Sequence, residues 1–246
     1  MTPAHWPIFE TAVVLPVSDE AAVTAPAEPE TSLGVVGGRQ APAHRLLTGT
    51  PLSTEVVVVT RDSEADLARS LPALRAAAAT AQAELLFVDL GSTDGTRSFA
   101  ANHAPGSRGV WLQADDSLSD ALAAAATVSE ADVLVVLRPT LEPASPETIA
   151  QLVAHLAEHP YAAMAAPVLR GHAGSELRTA CPTPRLEPFS RVERVLGEAV
   201  AIRRDDVEAV GPLPRRSASR LEELDLCIKL RRRGREIHYL RSAECL

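Results

Sequence analysis

Cysteine, aromatic residues, lysine and long apolar runs are all scarce in this chain of 246 residues. Three cysteines, Cys181, Cys227 and Cys245, are too few and too scattered for a disulfide framework or a zinc site, and they suit a reducing compartment. The seven histidines are dispersed along the chain and none neighbours a cysteine at ligand spacing, so no metal ligand is assigned. No uninterrupted apolar run approaches the roughly 20 residues that cross a bilayer. The N-terminus lacks a basic segment followed by an apolar stretch. The expectation is therefore a cytoplasmic chain with no membrane span. Basic residues are outnumbered, 24 against 32 acidic, giving a formal net charge of −8, which repels nucleic acid. The one basic cluster, Arg231-Arg232-Arg233 with Arg235, near Arg215, Arg216 and Arg220, reads first as a solvated helix face. Its second reading is phosphate or lipid-headgroup contact at a membrane surface. No G-x-G-x-x-G follows the first strand, which disfavours a Rossmann-type dehydrogenase. What is present is 46% hydrophobic residues at a mean hydropathy of +0.03, enough apolar side chain for a folded α/β core.

Two textures divide the chain. Residues 1–50 read as an arm or linker, because prolines from Pro3 to Pro42 and glycines 34, 37 and 38 interrupt every short apolar run. Residues 51–246 are regular. Val56-Val57-Val58-Val59 is a β-branched run of the kind buried on both faces. A helix over 63–79 follows, capped by Ser63 and expected to break or bend at Pro72. Leu85 to Val88 forms the second strand, and Gly91-Ser92-Thr93-Asp94-Gly95-Thr96 turns the chain into a helix to about His103, with Ser92 or Asp94 as its cap. Strands at 110–112 and 133–137 alternate with helices at 118–128 and 146–158, the pattern of right-handed βαβ crossovers on a parallel sheet. Beyond these, strands are expected at 162–169, 200–202 and 237–240, and a helix at 221–233 stopped by Gly234.

In open α/β sheets, ligands gather beyond the carboxyl ends of the strands. The polar residues there are Thr60-Arg61-Asp62, then Asp89 with its Gly-rich turn, then Arg138-Pro139-Thr140. An Asp leaving a buried strand can accept the N–H edge of a nucleobase, and equally the turn can be a capped βα loop with no ligand.

Three segments in order resemble a known family. Asp89-Leu90-Gly91-Ser92-Thr93-Asp94-Gly95-Thr96 looks like the opening of a family 2 glycosyltransferase. Glu198 to Asp205 followed by Val210-Gly211 is similar to that family's strand and helix before its Gly-Gly-Phe turn. Glu222-Glu223-Leu224-Asp225-Leu226-Cys227, running into Arg231 to Gly234, is similar to its Glu-Asp-x-Asp-Leu helix. The resemblance spans roughly Thr54 to Leu246 and implies a GT-A (nucleotide-diphospho-sugar transferase) fold, a Rossmann-like mixed α/β sheet flanked by helices.

The implied activity is hexosyl transfer, with inversion, from a nucleotide-sugar donor to a glycan, lipid or other hydroxyl acceptor, in cell-envelope polysaccharide synthesis. The implied nucleotide-binding residues are Thr60, Asp62, Asp89, Gly91, Ser92 and Asp94, with Asp89 on the base. Glu223 takes the place of the catalytic base, with Asp225 beside it. Asp225 lies ~200° further round a helix, so both acids cannot face one acceptor. The family's metal-binding Asp-x-Asp is replaced by Arg138-Pro139-Thr140, with Glu142 the nearest carboxylate. The family implies a divalent Mg or Mn ion, which these residues do not supply. Arg138 can meet phosphate directly, its fork matching phosphate oxygens. Asp115 and Asp116 add negative charge where a diphosphate approaches. The alternative is a catalytically inactive GT-A domain that binds nucleotide-sugar or serves as a scaffold.

Overall fold

The computed structural model describes residues 51–113, 117–171, 176–177, 189–195, 197–211 and 219–246. The arm over 1–50, Asp115, Asp116, Cys181, Arg215 and Arg216 lie outside the described residues, as does the side chain of Glu222.

The valine run forms β1 (Thr54–Thr60) and the second apolar run β2 (Glu84–Leu90), both buried on both faces. Between them, α1 (Glu64–Thr80) is one continuous helix. The expected break at Pro72 does not occur. Leu67, Leu71, Leu74 and Ala78 repeat at three- and four-residue spacing and are all buried, anchoring the helix on both sides of an exposed proline ring. Each fully buried leucine is worth about 1.5–3 kcal/mol, enough to offset the lost hydrogen bond. Ser63 occupies the cap position without capping, since its hydroxyl donates instead to the Arg61 carbonyl at 2.8 Å.

Further on come α2 (Thr96–His103), β3 (Arg108–Leu112), α3 (Leu118–Val128), β4 (Val133–Leu137) and α4 (Thr148–Glu158). A capping box opens α3: Ser117 N–H donates to Asp120 Oδ2 at 2.9 Å, and Ser117 Oγ accepts from the Asp120 N–H at 3.3 Å. Its buried Ala121, Ala125 and Ala126 let the helix approach the sheet closely. The second half supplies β5 (Ala162–Arg170), β6 (Glu176–Leu177), β7 (Phe189–Arg191), β8 (Ala199–Arg203), α5 (Arg204–Val210), α6 (Ser219–Arg232) and β9 (Glu236–Cys245).

All nine strands form one sheet in the order β3-β2-β1-β4-β8-β5-β9-β7, with β6 paired to β5. The pairs among β1, β2, β3 and β4 are parallel, as is β5 with β9. The sheet is not parallel throughout: β8 runs antiparallel to both β4 and β5. That reversal brings the segment before β8, including Gly197 and Glu198, to the carboxyl edge of β4, where Glu198 O accepts the Arg138 N–H at 3.0 Å.

Two apolar layers sandwich the sheet. One joins Val56, Val58, Leu85 and Phe87 to α1, α2 and α4; the other joins Val57, Val59, Leu86 and Val88 to α3, α5 and α6. Among the described residues, no helix is long and apolar enough to cross a membrane. The basic segment divides: Arg231, Arg232 and Arg233 are exposed, but Arg235 is buried and pairs with buried Asp206 of α5 at 2.7 Å. Arg235 is therefore a structural tie rather than part of a solvated face.

Candidate active site

Two consecutive βα loops form one hydrogen-bonded unit at the carboxyl edge of β1 and β2. Thr60, the last residue of β1, is in register with Asp89, one residue before the end of β2, and Thr60 Oγ1 donates to Asp89 Oδ1 at 2.9 Å. The next turn needs a left-handed residue, which Gly91 supplies at φ +71°. Ser92 then folds back, its N–H donating to Asp89 Oδ2 at 3.0 Å and its hydroxyl to Asp89 Oδ1. Arg97 of α2 closes the set, Nε to Asp89 Oδ2 at 2.7 Å, with its guanidinium over the Trp111 ring. The fully buried Asp89 thus has four donors, the full acceptor capacity of a carboxylate. A nucleobase N–H reaches Asp89 only by displacing one of them, and Arg97, 41% exposed, is the one open to solvent.

The first loop is locked to the second. Asp62, at φ +46°, donates its N–H to Ser92 Oγ at 2.9 Å and accepts the Thr93 N–H at 2.7 Å. Thr96 Oγ1 accepts the Ser63 N–H at 2.7 Å. Asp94 receives the N–H of Thr96 at 2.9 Å and that of Glu64 at 3.2 Å, so one carboxylate serves the first turns of both α2 and α1. Partial burial pushes its carboxyl upward, but the hydrogen bonds from Thr96 and Glu64 outweigh this and hold it below the usual carboxylate range. Ser92 does not cap α2; Asp94 does so in part.

At the end of β4, Arg138 is half-buried, and its Nε is a buried donor with no hydrogen-bond partner. Thr140 is exposed, and its carbonyl accepts from Arg69 at 3.1 Å. Glu142, the nearest carboxylate, is held by Arg69 Nε at 2.8 Å. A hard divalent cation wants several oxygen ligands, carboxylates above all. The described residues of this segment offer an arginine, a proline, a threonine and an ion-paired glutamate, so they do not fit such an ion.

Glu223 lies on α6, half-buried, in a narrow cleft between α3 and α6 floored by Val136, Val200 and Ile202, with Leu118 and Ser119 opposite. Gly197 permits this approach. A methyl group there would stand 3.2 Å from both Glu223 Cγ and Oε1 and from Leu118 Cδ2. Two of its lining residues, Gly197 before β8 and Leu118 at the start of α3, lie at the same sheet edge as the Asp89 loops, since Ala199 pairs with Leu137. The two carboxylates do not meet. Asp89, two residues beyond Phe87, shares its face and points to the α1–α2 layer, whereas Glu223 sits on the α3–α6 layer. They share an edge and flank it from opposite faces. Asp225, also half-buried on α6, is not among the cleft-lining residues.

Arg97 and Gly197 carry parts of this geometry that the sequence reading assigned to no residue. The Ser117-x-x-Asp120 spacing was a legible signal for the helix start beside the cleft. Nothing local marks Arg97, whose partner lies on another element.

This mixed sheet, with its paired βα loops at one edge and the reversed β8, is a GT-A fold. The pattern defining glycosyl transferase family 2 matches residues 55–200, more than half of the chain, so the chain belongs to that family. No curated protein matches the sequence closely enough to add to this. Among solved structures, it is similar to GalNAc-T7 with UDP, GalNAc and Mn2+, at TM-score 0.61 and 14% identity over 80% of this chain and 44% of that one. It is also similar to the mannosyltransferase PcManGT from Pyrobaculum calidifontis with GDP-Man and Mn2+, at TM-score 0.59 and 16% identity over 80% and 57%. A third similar structure is residues 1–349 of S. aureus TarS, at TM-score 0.56 and 16% identity over 78% and 61%. At these identities the likeness is one of fold. The chain spans about half the length of these relatives.

Proposed function

We propose that this chain is the donor-binding and catalytic region of an inverting glycosyltransferase that moves a hexosyl group from a nucleotide diphosphate to an acceptor hydroxyl. The observation that carries the reading is the shared edge: the locked Thr60–Asp62–Asp89–Ser92–Asp94 loops and the Gly197–Leu118 end of the Glu223 cleft lie on the same end of the sheet. The donor's nucleotide lies against the loops, where Gly91 and Ser92 present backbone and hydroxyl groups. Asp89 meets the base where Arg97 yields its place. The diphosphate lies toward Arg138, whose unpartnered Nε supplies a charge-assisted donor, with Thr140 at the rim.

Chemistry then needs one proton acceptor. An acceptor hydroxyl entering beside Glu223 attacks the anomeric carbon from the side opposite the diphosphate. The new C–O bond forms as the bond to the diphosphate oxygen breaks; the hydroxyl proton passes to the Glu223 carboxylate, and configuration inverts. No step is routed through a metal, because the residues at the end of β4 do not fit one. Envelope polysaccharide synthesis in the cytoplasm, on a glycan or lipid acceptor reached by peripheral membrane contact, is the setting this chemistry suits.

Calorimetry with UDP-, GDP- and dTDP-sugars, with and without Mn2+, identifies the donor and tests the metal. A transfer assay follows, in which Glu223→Gln retains donor binding and loses turnover. No turnover with any donor across a range of hydroxyl acceptors makes the chain a binding or scaffold domain and sinks the proposal.

A further inference from the structure

The fold joins three histidines that are far apart in sequence and unconnected to the cleft. His155 and His159 occupy the last turn and the cap of α4, and His238 lies on β9 with its side chain toward α4. This is the amino-terminal end of β5, the opposite edge of the sheet from Asp89 and Glu223. One ring nitrogen from each of the three lies within 4.8 Å of the others, and His155 Nε2 is 2.7 Å from His238 Nδ1. His155 is 8% and His238 1% exposed, while half-buried His159 gives access from solvent.

The second nitrogen of two rings is already fixed. His159 Nδ1 faces the His155 carbonyl at 2.9 Å. A carbonyl only accepts, so Nδ1 carries the proton and Nε2 keeps its lone pair. His238 Nε2 faces Glu236 Oε2 at 3.1 Å, which places the proton on Nε2 and leaves Nδ1 bare toward His155. A carboxylate or backbone carbonyl on the far nitrogen is the arrangement that orients histidine ligands of metals. Phe189 of β7 covers the group, stacked on His238 at 4.7 Å and edge-on to His155 and His159. Burial, reinforced by the neighbouring His159 and His238, holds His155 down at about 4; burial also lowers His238, against the opposing hydrogen bond with Glu236.

From this geometry we infer a second site, a three-histidine centre for a Zn2+-class transition metal formed by His155, His159 and His238, with Glu236 orienting His238. A tetrahedral ion with nitrogens at about 2.0–2.1 Å holds ligand atoms roughly 3.3 Å apart. The His155–His238 pair therefore opens by about 0.6 Å and His159 swings inward. His155 gives up the Nε2 proton it shares with His238, moving it to Nδ1. Among the described residues no fourth ligand is offered, so water completes the shell. Imidazole ligands favour zinc, copper, nickel or cobalt over magnesium and manganese, which separates this site from any donor-linked ion. Such a centre pins α4 to β9 and stabilises that end of the fold.

The test uses the full chain and metal alone. Metal-stripped protein is titrated with Zn2+ by calorimetry, its melting temperature is followed, and Co2+ is added as an optical reporter of tetrahedral nitrogen ligation. One Zn2+ binds per chain and the melting temperature rises, whereas Mg2+ does neither. His159→Ala, at a half-buried position that leaves the core intact, weakens Zn2+ binding at least tenfold and removes the tetrahedral Co2+ spectrum. His103→Ala, on α2, leaves both unchanged. Failure of the parent chain to bind Zn2+, or equal binding by the His159→Ala variant, overturns the inference. Neither readout depends on glycosyl transfer, so failure here leaves the proposed activity standing.

Discussion

Replacing Asp89 separates a carboxylate that braces the two loops from one that waits for a ligand. In Asp89→Ala, four donors lose their acceptor: the Thr60 hydroxyl, the Ser92 hydroxyl, the Ser92 N–H and Arg97 Nε. Arg97 is partly exposed and turns to water at little cost. The remaining three are buried or half-buried, and an orphaned buried donor costs about 1–3 kcal/mol. Water entering the small space left behind recovers part of that, which puts the loss at about 3–5 kcal/mol. Asp89→Asn behaves differently. With its amide oxygen toward the Ser92 N–H and Arg97, its NH2 donates to the Thr60 and Ser92 hydroxyls, both of which can accept. Only those hydroxyl protons need new partners, and the expected cost is about 1–2 kcal/mol. Urea unfolding measures both, read as midpoint shifts at unchanged slope. If Asp89→Ala loses less than about 1 kcal/mol, or Asp89→Asn is as damaging as Asp89→Ala, the carboxylate is not the internal brace and the account of these loops is wrong.

Other outcomes are fixed by the same geometry. On the proposed reading, in which Arg138 bonds the diphosphate, Arg138→Ala weakens a nucleoside diphosphate roughly tenfold but a nucleoside hardly at all; equal effects on the two ligands place Arg138 elsewhere. Pro72→Ala restores an N–H inside α1 at an exposed position and raises stability by about 1–2 kcal/mol, net of the extra freedom of the unfolded chain, as thermal unfolding reads directly. Hydrogen bonds from Arg170, at 2.8 and 2.5 Å, hold Glu244 below its ordinary 4.5, outweighing partial burial. Its contribution to stability is therefore complete above pH 4.5 and disappears as pH falls through the lower folded-state value; Arg170→Gln flattens that part of the stability–pH curve.

Most strands and helices were legible because their causes are local. A β-branched run buried on both faces has no other use for its side chains, and Val56–Val59, Leu85–Val88 and Val133–Leu137 all became strands. The Gly91–Thr96 turn was legible for the same reason: φ at Gly91 and the reach of Asp94 to a neighbouring N–H are decided within six residues. Pro72 misled because its penalty is local while the leucines that overrule it pack against other elements. Ser63 misled likewise, since its hydroxyl found the Arg61 carbonyl and Asp94, thirty residues on, took the cap.

By itself, then, the sequence determined the order of the strands and helices up to β5, most of those beyond it but not β6 or β7, the family motif at Asp89–Thr96 and the candidate acid at Glu223. Only the tertiary structure decided which groups each side chain meets. It filled Asp89 with four donors, left Arg138 Nε without a partner, buried Arg235 against Asp206, and set Glu223 beside Gly197 on the face opposite Asp89. It also drew His238 to within reach of His155 and His159. The reason is physical: periodicity and turn chemistry act over a few residues, whereas a hydrogen-bond partner is chosen by whatever the crossing of strands brings within about 3 Å.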